Sequence, residues 1–547
     1  MKKTIEFFAA ALLVVLPMAC NRTTPEQMAA NASKITVTVV PEVLTEIDGK
    51  VDAKLEVTFP KGYFHKDALL TVTPVLVYKD GETPSKAFEY QGENVKDNYK
   101  TVAFKGSTHK ESVSFQFTEA MRASRLELRP VILYAGRVIG VPYVTVAEGV
   151  CATARLADLD GRCDLKADGY EAILHKTAEA QILYDVNSST VKKSQLSSYS
   201  VANYHDALDR YKENDRYTVK GTSIVSYASP EGGKDYNEKL SDKRSGSAQK
   251  AWDVIGRGMK ADDLDVQSIG QDWEGFKEAV AKSNIRDKDL ILRVLSMYND
   301  PAVRESEIRN LSQIYTELKS DVFPELRRSR FVTDLEFRNY SDEDLEILAQ
   351  QKLYMLDETG LLHLAGVTDS PARKEFIYNF AYEKFGSKTA LFNMAAQAIS
   401  DGETTKAGIY LDKLADEEDP EVINARGLLE LAARNWYKSE DLFEKAATDQ
   451  SKENLATLYL LQGNYEKSAS FYPEGHPDRP VALILAGKPD EALKALKGDD
   501  ARSNYLRAIA SARKGDADGV KKYLEASSSN PYFAELAKKD VEFVKFR

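Results

Sequence analysis

Residues 226–252, SYASPEGGKDYNEKLSDKRSGSAQKAW, run from a loop of small residues into a helix with a polar face. Pro230, Gly232 and Gly233 interrupt the preceding strand pattern, and Asp235 with Glu238 has the spacing of a capping box, which predicts a helix start there with Asp235 as N-cap. Asn237, Leu240 and Arg244 follow at i, i+3 and i+7 and share one face. Exposed N–H groups at a helix start, with an arginine beyond them, suit a small carboxylate. The same residues also fit a packing helix in which Asn237 caps the turn and Arg244 meets a surface acid.

Around this stretch, strands alternate with helical patterns. EAQILYDVNSSTV (179–191) reads as a strand and turn, and YTVKGTSIVSYAS (217–229) as a second strand. DDLDVQSIG (262–270) is a third, and RSRFVTDLEF (328–337) a fourth, after a helical insertion over 273–324. Residues 166–340 are therefore expected to form an α/β two-layer sandwich.

Before it, residues 34–150 alternate with period two in KITVTVV, AKLEVTFP, LLTVTPVLVY, ESVSFQF, RLELRPVILY and VPYVTV, broken by DGK, KDGE and AGR turns. That predicts an all-β sandwich, serving as a spacer or a recognition domain. After it, residues 341–547 are helical and repetitive. Gly402, Gly463, Gly487 and Gly515 each precede a small residue by five places (Ala407, Ser468, Ala492, Val520) and a large apolar one by nine (Leu411, Tyr472, Leu496, Leu524). Arg434 stands in the same register before Ser439 and Phe443. A glycine suits the tight turn between paired helices, and the small residue permits their close approach. The pattern resembles tetratricopeptide repeats, with intervals shorter than that family's ~34 residues, and implies an α-solenoid of five degenerate repeats that binds protein.

A second resemblance rests on YDVNSSTV (184–191) and IVSYASPEGGKDYNEKLSDKRSGSA (224–248). These are similar to the peptidoglycan-binding domain of outer membrane protein A and its relatives. Tyr236, Asn237, Leu240, Ser241 and Arg244 match that family's second motif without a gap. The resemblance implies that Arg244 grips a carboxylate of diaminopimelate in the stem peptide, with Asn237 beside it. The family's Gly-x-Thr-Asp, whose Asp holds the ligand's amine, reads Ser226, Tyr227, Ala228 and Ser229 here. Glu231 is the alternative acceptor. Peptidoglycan binding is thus either kept in altered form or lost.

The N-terminus, MKKTIEFFAAALLVVLPMAC, has two lysines, a short apolar run and Ala19 before Cys20, the order of a secretory signal. It resembles the lipobox of bacterial lipoproteins, with Pro17 where leucine is usual. Residues 1–19 are then a signal peptide, Cys20 carries the acyl chains, and 20–33 form a tether. The other cysteines, Cys151 and Cys163, lie in a linker over 151–165, CATARLADLDGRCDL; in an exported chain they suit a disulfide, with two free thiols as the alternative. The DLDG at 158–161 lacks the later glutamate of a calcium loop.

A net charge of -11 disfavours nucleic acid as a partner. The six histidines show no metal-ligand spacing, and no phosphate loop or nucleophile elbow occurs, so neither cofactor, metal nor enzymatic activity is expected. The domain order resembles outer-membrane lipoproteins of Bacteroidota that face the periplasm. It implies a non-catalytic envelope scaffold with wall contact and a protein partner on the solenoid. The alternatives are an adaptor in a secretion or fimbrial assembly that no longer binds the wall, and a cryptic envelope hydrolase.

Overall fold

The computed structural model describes residues 23–258, 264–416 and 418–547; the expected signal peptide and Cys20 lie outside them. The chain divides into two compact units. One comprises the described residues up to Ala167 together with Tyr382–Arg547, and the other is Asp168–Ala381.

The first unit opens with a β-rich part of one five-stranded and one seven-stranded sheet. Lys50–Phe59 pairs antiparallel with both Thr36–Val40 and Ser107–Gln116, and Leu69–Tyr78 pairs with Ser124–Tyr134. In Lys50–Phe59 the residues Val51, Ala53, Leu55, Val57 and Phe59 are buried while Lys50, Asp52, Lys54 and Glu56 are exposed, the alternation of a strand with one face on a core. The described part of the expected tether is not slack. Pro25–Ala30 forms a helix with a Thr24–Gln27 capping box, and its Met28 is fully buried, with Tyr63 Oη donating to the Met28 carbonyl at 2.8 Å. Buried Pro25 and Met28 and the capping box hold in place a six-residue helix that composition alone presents as polar.

The helical part of this unit consists of five helix pairs from Lys388–Ser400 with Thr404–Asp412 to Ala501–Lys514 with Ala517–Ser527. At the turn within each pair one residue takes left-handed φ: Gly402 at 74°, Arg434 at 62°, Gly463 at 74°, Gly487 at 75° and Gly515 at 78°. Five residues on, Ala407, Ser439, Ser468, Ala492 and Val520 are all buried. Leu411, Phe443, Tyr472 and Leu496 are buried at the next register position, where they fill the groove between neighbouring helices. The repeat register is thus a backbone constraint as well as an apolar pattern.

The segment between the two parts differs from the expected disulfide-closed linker. Val150 and Cys151 pair in parallel with Leu44 and Thr45, so the first residue of the expected linker is a strand residue. No disulfide forms between the two cysteines: Cys151 and Cys163 are free thiols. Cys151 is buried near Thr153, Glu542 and Arg513, whereas Cys163 packs against the cluster containing Leu428, Phe443 and Leu455. The chain between them, which includes the short 3-10 turn Thr153–Leu156, carries the two sulfurs to separate surroundings. Burial pushes both thiols up to about 12.

The second unit holds a four-stranded sheet in the spatial order Ile173–Leu183, Arg328–Arg338, Tyr217–Ala228, Leu264–Gln271. Only the last two are parallel neighbours. Tyr199–Lys212 and Lys234–Ile255 pack on it through Tyr204, Leu208, Ala248 and Trp252, which meet Ile182, Ile224 and Phe331. The insertion, Trp273–Leu326, folds as five helices around its own core of Phe276, Ile291, Leu318 and Phe323. Helices from Asp342 to Val367 belong to this unit and not to the repeats. His363 bridges Asp168 at 2.8 Å and Asp342 at 3.0 Å and stacks on Tyr170 at 4.4 Å, which ties them back to the start of the domain. Burial opposes charge on His363, but the two carboxylates outweigh it and hold its pKa above the ordinary value.

At Gly487 a Cβ would meet nothing within 4 Å, so any cost of adding one there is conformational. Gly487→Ala is expected to lower the stability of the repeat unit by ~1–2 kcal/mol through the left-handed φ alone. Urea unfolding followed by circular dichroism measures it, and an unchanged midpoint would remove the backbone constraint from the repeat register.

Candidate functional site

The loop at 229–233 and the first half of helix Lys234–Ile255 bring together Ser229, Glu231, Asn237 and Arg244, the residues expected to form a site. The helix begins two residues earlier than the capping-box reading predicts. Gly233 is the N-cap, without a side-chain cap, and Asp235 lies in the first turn, where its charge complements the helix dipole. The loop is closed by Asn237 instead. Its Nδ2 donates to the carbonyls of Ser229 at 3.0 Å and Gly232 at 2.7 Å. Asn237 is buried, so its amide serves the loop and not solvent.

Arg244 is 1% exposed. Its Nε donates to the Ser188 carbonyl at 2.9 Å, Nη1 to that of Tyr227 at 2.9 Å and Nη2 to that of Asp185 at 3.2 Å. The guanidinium lies over the Tyr184 ring at 4.9 Å, and Tyr184 Oη donates to the Arg244 carbonyl at 3.2 Å. No carboxylate among the described residues forms an ion pair with it, and burial pushes it down to about 10. A cation in this position is solvated by carbonyl dipoles and an aromatic face, an arrangement that clips the turn after the first strand to the end of the second.

The acceptor side is occupied as well. Ser229 Oγ donates to Glu231 Oε1 at 2.9 Å. The same oxygen receives Arg327 Nε at 2.9 Å and Nη2 at 2.8 Å, a pair in which both side chains are largely shielded from solvent. Glu231 therefore neutralises Arg327, a fixed internal cation, and Ser229 spends its hydroxyl proton on Glu231. Sequence reasoning missed Arg327. The signal available was the basic run RRSR at 327–330 opening the last strand, one of whose arginines needs an acid nearby.

Ser241, on the same face of the helix, is internal as well. Ser241 Oγ lies 2.6 Å from Ser268 Oγ and accepts from the Gly270 N–H at 3.0 Å, joining the helix to the sheet's edge strand. Beneath it, Ser226 and Ser329 hydroxyls meet at 2.6 Å and Thr222 and Thr333 at 2.8 Å between neighbouring strands. Thus Asn237, Ser241 and Arg244 all act inside the domain. Among the described residues, no group of three His, Cys, Asp or Glu side chains is placed to hold a metal ion.

No family model matches the chain. No curated protein matches it. Among solved structures, a tetratricopeptide repeat protein from Parabacteroides merdae is similar over 36% of this chain and 90% of that one, at 19% identity and a TM-score of 0.29.

Removing the Arg244 guanidinium would take a charged donor from three part-buried carbonyls, of which that of Asp185 keeps the Ser188 N–H at 3.1 Å, and would leave a cavity in place of a buried side chain. Arg244→Met is therefore expected to destabilise the α/β unit by more than ~3 kcal/mol, read from tryptophan fluorescence during urea unfolding. A change below ~0.5 kcal/mol, the range of surface substitutions, would mean that the guanidinium is available to a ligand.

Proposed function

We propose that the protein is a non-catalytic adaptor of the bacterial cell envelope. In this reading Cys20 carries the lipid that holds it to the outer membrane on the periplasmic side, the outer-membrane-protein-A-like domain does not grip peptidoglycan, and the helical repeats bind an envelope protein. The anchor is supported by the N-terminal residues alone, a charged start and short apolar run ending on a cysteine. No described helix is long and apolar enough to cross a membrane.

One observation favours the adaptor over the wall-binding scaffold. Arg244 directs its donors to Asp185, Ser188 and Tyr227, and Glu231 is joined to Arg327, so both ends of a diaminopimelate clamp are satisfied internally. A ligand carboxylate would have to displace three main-chain carbonyls to reach that arginine. The hydrolase alternative finds no activated nucleophile in the two cysteines. Both thiols are pushed up by burial, away from thiolate, and His363 is clasped between two carboxylates.

Fractionation tests both halves of the proposal. Wild-type protein is expected in the outer-membrane fraction, and Cys20→Ala in the soluble periplasm, because each buried CH₂ of the acyl chains contributes ~0.8 kcal/mol to the membrane-bound state. The soluble variant should stay in the supernatant when mixed with purified sacculi. Saturable pelleting with sacculi that is lost in Glu231→Gln would replace the adaptor by the wall-binding scaffold. Retention of Cys20→Ala in the membrane would remove the anchor.

A further inference from the structure

Between the β-rich part and the repeats, the chain runs as an extended segment along the first helices of successive helix pairs. Its main chain is held there by side-chain amides. Asn454 accepts from the Arg162 N–H through Oδ1 at 2.8 Å and returns Nδ2 to the Arg162 carbonyl at 2.9 Å. Asn393 repeats the clamp on Lys166, at 2.7 Å for the N–H and 3.1 Å for the carbonyl. Midway, the Asp164 N–H donates to Gln450 Oε1 at 3.3 Å. Asn424 links these contacts: its Nδ2 donates to Gln450 Oε1 at 3.1 Å, and its Oδ1 accepts from Asn454 at 2.9 Å.

Three features make this a built site and not incidental packing. The clamped residues alternate, 162, 164 and 166, the period at which an extended strand turns its N–H groups to one side. The three asparagines are themselves buried and stand one per helix pair, on Lys388–Ser400, Pro420–Ala432 and Asp449–Leu461. Gly161 enters at φ +75°, and a Cβ there would lie 2.6 Å from Leu428 and 3.0 Å from Asn454, so the groove selects glycine at that point. Upstream, the Leu156 carbonyl receives Arg502 Nε at 3.0 Å and Nη2 at 2.7 Å.

We infer that the groove along the first helices of the repeats is a site for an extended peptide, read through its main chain by Asn393, Gln450 and Asn454, and that its resident ligand is the chain's own connector, Leu156–Lys166. Such a site accepts a range of side chains but requires an N–H at each clamped residue, which excludes proline there. A partner's extended segment enters the groove only by displacing the connector. The chemistry is independent of where the protein resides, and it stands whether or not the envelope reading holds.

Hydrogen exchange on the full chain decides the occupancy. The amides of Arg162, Asp164 and Lys166 should exchange at least about a hundredfold more slowly than in a free peptide of residues 153–168, and the protection should collapse in Asn393→Ala with Asn454→Ala while amides of the β-rich core keep theirs. Free-peptide rates at those three amides in the wild type would overturn the inference, as would unchanged protection in the double variant. A second measurement titrates the 153–168 peptide into wild-type chain and into a chain whose residues 156–166 are replaced by a Gly/Ser segment of equal length. Binding is expected to the replaced chain and not to the wild type. Equal binding to both would show the groove unoccupied, and none to a folded replaced chain would show that it does not read peptides. If the replaced chain fails to fold, the exchange measurement still decides.

Discussion

A main chain outside helix and sheet is fixed in place only where its N–H and C=O groups find partners, and at Arg162, Asp164 and Lys166 the connector finds them on the repeats. Asn393 and Asn454 each satisfy both groups of one residue, which a carboxylate cannot do, because an amide carries donor and acceptor side by side. The same segment begins as a strand, Val150 and Cys151 beside Leu44 and Thr45, so it leaves the β-rich part hydrogen-bonded and arrives in the groove hydrogen-bonded. Ion pairs flank that passage: Arg155 with Glu46 at 3.3 Å, Arg434 with Asp48 at 2.9 Å and Arg513 with Glu542 at 2.5 Å. The β-rich part and the repeats form one compact unit for this reason, although another unit, Asp168–Ala381, separates them in sequence.

The repeats were legible because their constraint is local. A left-handed turn, a small residue and a large one at fixed offsets all report on one helix pair, and Arg434, the odd member of the series, adopts the same φ as the glycines. The strands were legible from period-two burial for the same reason. What sequence did not reveal is long-range: the seating of CATARLADLDGRCDLK in a groove whose asparagines lie far along the chain, which makes polar, loop-like composition behave as structure. The cysteine pair misled because proximity in sequence is no guide to pairing when each thiol packs against residues far along the chain, Cys151 beside Arg513 and Glu542 and Cys163 beside Leu428 and Leu455. The boundary at 341 misled because helices carry no mark of which core they serve; His363 and its two carboxylates decide that, and histidine spacing alone does not show it.

The helix at 234–255 shows how far a motif speaks for function. Of its family-like residues, Asn237, Leu240, Ser241 and Arg244 are buried and Tyr236 is exposed. Asn237 closes the loop, Leu240 supplies apolar packing, Ser241 joins the edge strand and Arg244 clips two strand ends together. Residues employed in these ways specify a domain's shape, and they do so whether or not a ligand is bound. Of the residues to which the resemblance assigns a ligand, Arg244 and Asn237 are held by main-chain carbonyls, and Ser229 and Glu231, where the sequence departs from the family, form an internal group with Arg327.

Because the connector joins the two halves of one unit, their stabilities should be linked. Denaturant-dependent hydrogen exchange of the full chain, following Leu55 and Val113 in the β-rich core and Ile484 and Ile509 in the repeats, measures that link most directly. The account predicts that all four amides lose protection in a common opening, with one free energy and one denaturant dependence. Opening of the repeat amides in a separate, lower-energy step that leaves Leu55 and Val113 protected would contradict it.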